Sequence, residues 1–223
     1  MAKLTQTKDK ILKTALQSFL TIGIDQTSLN SVADQIGIKK PSIYYHFKSK
    51  EDIVNQCVNY LLDDLEHRLE LSISAHQHPR EQIEAIYECI IDFHHGLSIL
   101  VYNNHLRPVN LNTFLQRCCL EGEGIKRRIE HYYHNLQNRF ISLLSYGQKQ
   151  CYIKNGINKE IVSIDLMSRI EGMIALSALY SQANINLQRQ ELYESVWENI
   201  KAEVTNKKRK ILDYKSIDLA RKW

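Results

Sequence analysis

Apolar residues recur at helical spacing along almost the whole of this 223-residue chain, and only 3 prolines and 8 glycines interrupt them. That scarcity is the tightest constraint on the fold. Proline removes a backbone donor and glycine adds chain entropy, so a chain short of both can sustain long helices. Ile11, Leu12, Ala15, Leu16, Phe19 and Leu20 share one face of a first helix. Thr7 reads as its N-cap and Gly23 as its stop. Ser28 caps a second, short helix with Leu29, Val32, Ala33 and Ile36 turned inward, and Gly37 ends it. Pro41 opens a third, where its missing N–H costs little, with Ile43 and Phe47 buried. Ser49, three residues before Asp52, caps a fourth helix from Lys50 to about Leu71. Past a polar break at 76–79 the spacing predicts helices over 79–100, 108–119, 123–154, 158–184 and 188–206. No run alternates as a strand does, and no internal repeat is found. The expected class is all-α, with about nine helices.

At 43% hydrophobic and 24% charged, the chain has enough apolar mass for a sizeable core and is unlike a disordered or disulfide-dense sequence. Its richest apolar run, 173–180, lies between Glu171 and Gln182 and falls well short of the ~20 residues that span a bilayer. Lys3, Lys8, Lys10 and Lys13 break up the N-terminal segment, so no signal-peptide core is read. Five irregularly spaced cysteines, Cys57, Cys89, Cys118, Cys119 and Cys151, fit reduced thiols and a cytoplasmic, nucleoid-associated location with no membrane partner.

The net charge of +4 hides a partition. Residues 1–50 carry eight lysines against three acids, and residues 201–223 carry eight basic residues against three acids, each a net +5. The middle of the chain is therefore acidic. Basic ends on an acidic body suit a chain in which one part meets a polyanion.

Two short helices joined at Gly37 and resting on a longer first helix are the parts of a helix-turn-helix. Lys39, Lys40, Ser42, Tyr44, Tyr45 and His46 supply polar and amphipathic groups around the third helix. Lys48 and Lys50 stand at the start of the fourth, where backbone N–H and ammonium groups can hold a phosphate together.

Residues 23–50, GIDQTSLNSVADQIGIKKPSIYYHFKSK, resemble the DNA-binding domain of the TetR family of transcriptional regulators. The resemblance rests on Gly23-Ile24, Val32-Ala33, Gly37-Ile38 and the run Tyr44-Tyr45-His46-Phe47 leading to Lys50. It is close over about the first 60 residues and extends loosely, through size and helical character, to the rest. It implies that Tyr45, His46 and Lys50 contact phosphates, that Lys39, Lys40, Ser42 and Tyr44 contact bases or backbone, and that Ser28 bonds a phosphate. Ser31 and Lys48 complete the expected DNA-binding set. Asn30 stands where many members have an Arg that reads guanine; an Asn there favours adenine. Pro41 replaces a small residue and so removes one amide contact.

The same resemblance implies a three-helix DNA-binding domain over 1–50, with the fourth helix starting on it to about residue 65, and an effector-binding and dimerisation domain over 51–206. A basic extension over 207–223 follows, either solvated or serving as a second contact surface. It further implies a homodimer on a palindromic double-stranded DNA operator, released by a small-molecule effector. The apolar stripes that serve dimerisation include Met167, Ile170, Ile174, Ala178, Val196 and Trp197. His94, Tyr102, Phe114, Tyr133 and Phe140 are the aromatic and His side chains expected to line an effector pocket. An effector-dependent activator, or a helical protein-interaction module with secondary DNA binding, are the alternatives.

Other chemistries lack their residues. His131 and His134 share a helix face beside Glu130, but no zinc-type spacing accompanies them, so no metal and no cofactor is expected. The side chains of Cys118 and Cys119 diverge by ~100° on a helix. Gly122-x-Gly124 lacks a preceding strand and a third glycine, and no nucleophile elbow or P-loop is present. An enzyme is not expected.

Overall fold

The structure, a computed structural model, describes residues 2–102, 111–179 and 185–203. The described residues are all-α, in nine helices, with no strand. These are α1 (Ala2–Ile22), α2 (Leu29–Gln35), α3 (Lys40–His46), α4 (Lys50–Ser74), α5 (Pro79–Tyr102), α6 (Leu111–Cys118), α7 (Glu123–Lys149), α8 (Lys159–Leu179) and α9 (Ile185–Ile200).

Two helices organise the packing. α4 lies against α1, α5, α6 and α7 and buries Ile53, Val54, Cys57, Val58, Leu61, Leu62, Leu65 and Leu69. α5 reaches from α4 to α7, α8 and α9. Its Tyr87 is buried and donates to the Leu166 carbonyl at 3.0 Å, so an otherwise costly buried hydroxyl joins α5 to α8. Ion pairs connect the same layers at the surface. Arg128 of α7 bonds Asp63 and Glu66 of α4, each at 2.7 Å, and Arg189 of α9 meets Glu88 of α5 at 2.7 Å.

Several helix ends differ from the sequence-based expectation: the last helix stops at Ile200 rather than 206, and two further ends have a local cause. α1 begins at Ala2 rather than after Thr7, because Ala2 to Gln6 contain nothing that disfavours a helix. α7 stops at Lys149 instead of continuing to 154. Cys151 adopts φ 56°, and the amides of Tyr152 and Ile153 both turn back to the Gly147 carbonyl, at 2.8 and 3.1 Å. Ile153 then packs where a Cβ on Gly147 would sit, 2.5 Å from Ile153 Cδ1. The reversed segment pairs with the end of α9 through Lys154 N–H to the Ile200 carbonyl at 3.0 Å and Ala202 N–H to the Tyr152 carbonyl at 2.9 Å.

The apolar stripe expected to pair two copies divides between two faces. Ile170 and Ile174 of α8, and Val196 and Trp197 of α9, are buried in the chain's own core, which corrects their assignment to an outer surface. Met167 is half-buried. The outward face of α8 carries Ile161 and Ile164, 65% and 55% exposed, together with Leu176. Both sides of α8 are apolar, so periodicity alone does not orient it. The side chain of Ala178 lies outside the described residues, as do that of Tyr102 and the whole of 207–223.

Candidate nucleic-acid interface

The interface is built from three consecutive chain turns, fixed by four local caps. Gly23 ends α1 at φ 91°, and the buried Thr27 hydroxyl donates to its carbonyl at 2.7 Å, closing the turn before α2. Ser28 Oγ accepts the Ser31 N–H at 3.0 Å, the N-cap expected from the sequence. Gly37 at φ 70° ends α2, with the Ile38 N–H returned to the Ala33 carbonyl at 3.0 Å. Ser49 Oγ accepts the Asp52 N–H at 3.1 Å and starts α4.

Within that frame α3 has an unambiguous inside. Ile43 and Phe47 are fully buried with Val32 and Ala33 of α2 and with Ile11, Ala15 and Leu16 of α1. The opposite side is open: Tyr44 is 50% exposed and Tyr45 73%, and Lys39, Lys40 and Lys48 are exposed beside them. Ser42, His46 and Lys50 are half-buried at its edges. The rings of Tyr45 and His46 meet edge-on at 5.2 Å, and Lys40 Nζ stands 6.0 Å from the Tyr44 ring. Two large aromatic residues are thus held out of an adjacent core and flanked by ammonium groups. Such a surface suits a phosphate-bearing partner.

Asn30 and Ser28 are exposed at the start of α2. Ser28 uses its hydroxyl oxygen as an acceptor, which leaves its O–H to donate. Ser31 spends its O–H on the Ser28 carbonyl at 2.8 Å, so it has only acceptor capacity left and is a poor phosphate ligand. The Lys48 amide is likewise committed, donating to Asp52 Oδ2 at 2.8 Å. At Lys48, therefore, only the ammonium group can serve an anion.

Two relationships have no signal in the sequence. Lys8 of α1 places its ammonium 5.5 Å from the Phe47 ring. Arg117 of α6 forms a two-pronged pair with Asp25 in the α1–α2 turn, Nη2 to Oδ1 at 2.6 Å and Nε to Oδ2 at 3.1 Å. The Arg117 bond, opposed by slight desolvation and aided by the charges of Arg117 and Lys50, holds the Asp25 carboxyl below its usual range. These partners are 92 positions apart, and no local pattern marks them.

The expected effector residues with described side chains lie on α5, α6 and α7. Phe140 is fully buried, His94 is buried on α5, and Phe114 of α6 faces the end of α1. Tyr133 belongs to a polar cluster that the sequence reading missed, bonded with Asn112 to the carboxylate of Glu171. Burial raises the pKa of that carboxyl, against both bonds. Among the described residues no group of three or more His, Cys, Asp or Glu side chains could hold a metal ion.

Comparison with known proteins decides what this head is. Residues 11–57, which span the buried part of α1, all of α2 and α3, and the start of α4, match the model of bacterial regulatory proteins of the tetR family. This segment is similar to the DNA-binding region of TetR-family regulators. That family is one of regulators, not of enzymes. Among curated TetR relatives, the biofilm operon icaADBC negative transcriptional regulator IcaR of Staphylococcus aureus is 35% identical over 86 residues, 39% of this chain and 45% of the relative. IcaR of Staphylococcus epidermidis is 42% identical over 62 residues, 26% of this chain and 34% of that protein. The chain therefore matches less than half the length of these relatives. A transcriptional regulator from Saccharomonospora viridis, solved in complex with choline, superposes with a TM-score of 0.74 at 16% identity, covering 89% of this chain and all of that one. The Mycobacterium tuberculosis regulator KstR2 gives 0.64 at 19% identity, with 88% and 96% covered. At those identities the likeness shows the TetR fold. No described helix is long and apolar enough to cross a membrane.

Proposed function

We propose that this chain is a DNA-binding transcriptional repressor of the TetR family that acts as a homodimer on a palindromic operator and is released by a small-molecule effector. The observation that carries the reading is the outward side of α3, where Tyr44 and Tyr45 stand exposed among Lys39, Lys40 and Lys48 while Ile43 and Phe47 anchor the helix from behind. In this reading α3 enters the major groove. Tyr45, His46, Lys48, Lys50 and the Ser28 hydroxyl hold phosphates, and Lys39, Lys40, Ser42, Tyr44 and Asn30 face bases or the adjoining backbone. Residues 1–50 form the DNA head, and the helices after them form the body. Repression is favoured over activation by the negative regulator IcaR among the relatives.

One head contacts too few base pairs for an operator to be distinguished from bulk DNA, so pairing is part of the proposal. The outward face of α8 supports it. Ile161, Ile164 and Leu176 are exposed, and Ser168, Gly172 and Ala175 between them allow close helix approach. The effector is assigned to the body, where Tyr133, Asn112 and Glu171 offer polar anchors within an apolar helical stack.

The test is fluorescence anisotropy of labelled duplex from immediately upstream of the protein's own gene, titrated at several salt concentrations. The proposal predicts saturable binding that weakens steeply with salt and is lost in a Lys40→Ala, Tyr45→Ala double variant. Binding that the double variant retains in full would refute it.

A further inference from the structure

A half-open cleft of about 480 Å³ lies between the end of α1, the α1–α2 turn and α6. Its apolar wall is made by Phe19, Leu20, Ile22 and Phe114, and its polar wall by the Asp25–Arg117 pair. Three features make this more than a surface crease. The volume is in the range of small-molecule sites. Ile22 is 55% exposed, although Phe19 and Phe114 beside the cleft are buried, so an apolar side chain at its rim lacks cover. Arg117 also holds two carboxylates of unequal standing. Glu121, in the turn just after α6, has a side chain only 21% exposed at 2.7 Å, whereas that of Asp25 is 69% exposed.

We infer that this cleft is a binding site for a small monocarboxylate with an apolar tail, separate from the effector position assigned to the body. The ligand carboxylate takes the place of Asp25 on the Arg117 guanidinium, whose planar fork presents two parallel N–H donors matched to a carboxylate. The tail lies on Phe19, Ile22 and Phe114 and covers the exposed Ile22. Asp25 is the partner that leaves. It is open to water, and the Lys50 ammonium nearby already acts on its charge, so its carboxylate retains a counter-ion after release. Glu121 stays in place and keeps the guanidinium oriented. No covalent change is involved. Occupation removes the ion pair that joins the α1–α2 turn to α6. The binding step does not depend on the DNA-binding reading.

Isothermal titration of the full chain with octanoate, and with uncharged octanamide, tests this directly. The expected result is octanoate binding that is weaker by about tenfold or more for octanamide, which lacks the charge and the second acceptor oxygen, and for Arg117→Gln, which lacks the guanidinium. Asp25→Asn is expected to tighten octanoate binding several-fold, because the competing carboxylate is gone while Arg117 remains. That gain distinguishes the cleft from a pocket elsewhere, and it stands even if Arg117→Gln fails to fold. Failure of octanoate to bind the wild-type chain, equal binding of octanamide, or weaker binding by Asp25→Asn would each overturn the inference.

Discussion

Asp52 holds both sides of the α3–α4 junction: its carboxylate accepts the Lys48 N–H at 2.8 Å, and its own N–H donates to Ser49 Oγ at 3.1 Å. A third bond, from Gln56 Nε2 to Oδ1 at 2.9 Å, fixes the carboxylate from within α4. This reciprocal cap sets the angle at which Lys48 and Lys50 leave the end of α3. The cations of the proposed interface are therefore positioned by an acid.

Ser49→Ala is expected to destabilise the chain by about 1 kcal/mol, as loss of an N-cap does, and to weaken DNA binding although Ser49 is outside the proposed contact set. Desolvation opposes the charge of Asp52. The bonds from Gln56 and the Lys48 amide, with the charges of Lys48 and Lys8, prevail and hold its carboxyl below the usual range. Its contribution is thus complete above the ordinary Asp value of about 3.9 and is lost as pH falls through the lowered one. Urea denaturation of wild type and Asp52→Asn at pH 7 and near pH 3 checks this, with the difference between them shrinking at the lower pH.

Tyr45→Ala and Lys40→Ala should each weaken operator binding by roughly 1–3 kcal/mol and leave the melting temperature unchanged, because both side chains project into solvent. Lys50→Ala should in addition reduce the slope of log affinity against log salt by about 1. Ile43→Ala is the contrasting case. Its side chain is fully buried, so it should lose about 2–5 kcal/mol of stability, and DNA binding with it. Thermal melts paired with anisotropy separate the two kinds of loss.

Ile164→Glu, on the outward face of α8, should convert a dimer to a monomer in sedimentation equilibrium with little effect on helix content. Ile170→Ala, on the inward face, should lower stability by about 2–5 kcal/mol and leave the mass unchanged while the fold persists. A dimer that survives Ile164→Glu would place the pairing surface elsewhere.

His94 is buried, and that burial lowers its pKa to about 4, so it is neutral in the folded chain at pH 7. A histidine whose folded value lies below its unfolded one stabilises fully above the unfolded value, about 6.5, and progressively less as pH falls. Between pH 6.5 and 4 the unfolded chain binds one more proton at this site. Stability should therefore drop by up to about 1.4 kcal/mol per pH unit from this group. Calorimetric melts of wild type and His94→Asn across that window should diverge from each other by this dependence.

The fold was legible where a residue type forces a local event. Gly23, Ser28, Gly37, Pro41 and Ser49 punctuate the first four helices, and each acts in the structure as its chemistry requires: two left-handed turns, two side-chain caps and a proline in the first turn of α3. Where no residue type is diagnostic, packing decides. The end of α7 depends on Ile153 lying over Gly147, which lets Cys151 adopt a conformation that cysteine does not advertise. The start of α1 misled because a threonine inside a helix looks like a threonine at its cap. α8 is apolar on both sides, so only the contacts of Leu166, Ile170 and Met173 with the core show which side is inward. The candidate DNA-facing residues were readable because they cluster within about 20 positions. The Asp25–Arg117 pair and the Glu171 cluster join distant segments, and nothing local predicts them.

The central claim, that α3 is presented to duplex DNA and reads it, is tested most directly by in vitro selection of the purified full chain against a random double-stranded library, in parallel with the Lys40→Ala, Tyr45→Ala variant. The account predicts that the wild type enriches a palindromic sequence with two half-sites and that the variant enriches none. No enrichment by the wild type, or the same sequence recovered by the variant, would contradict it.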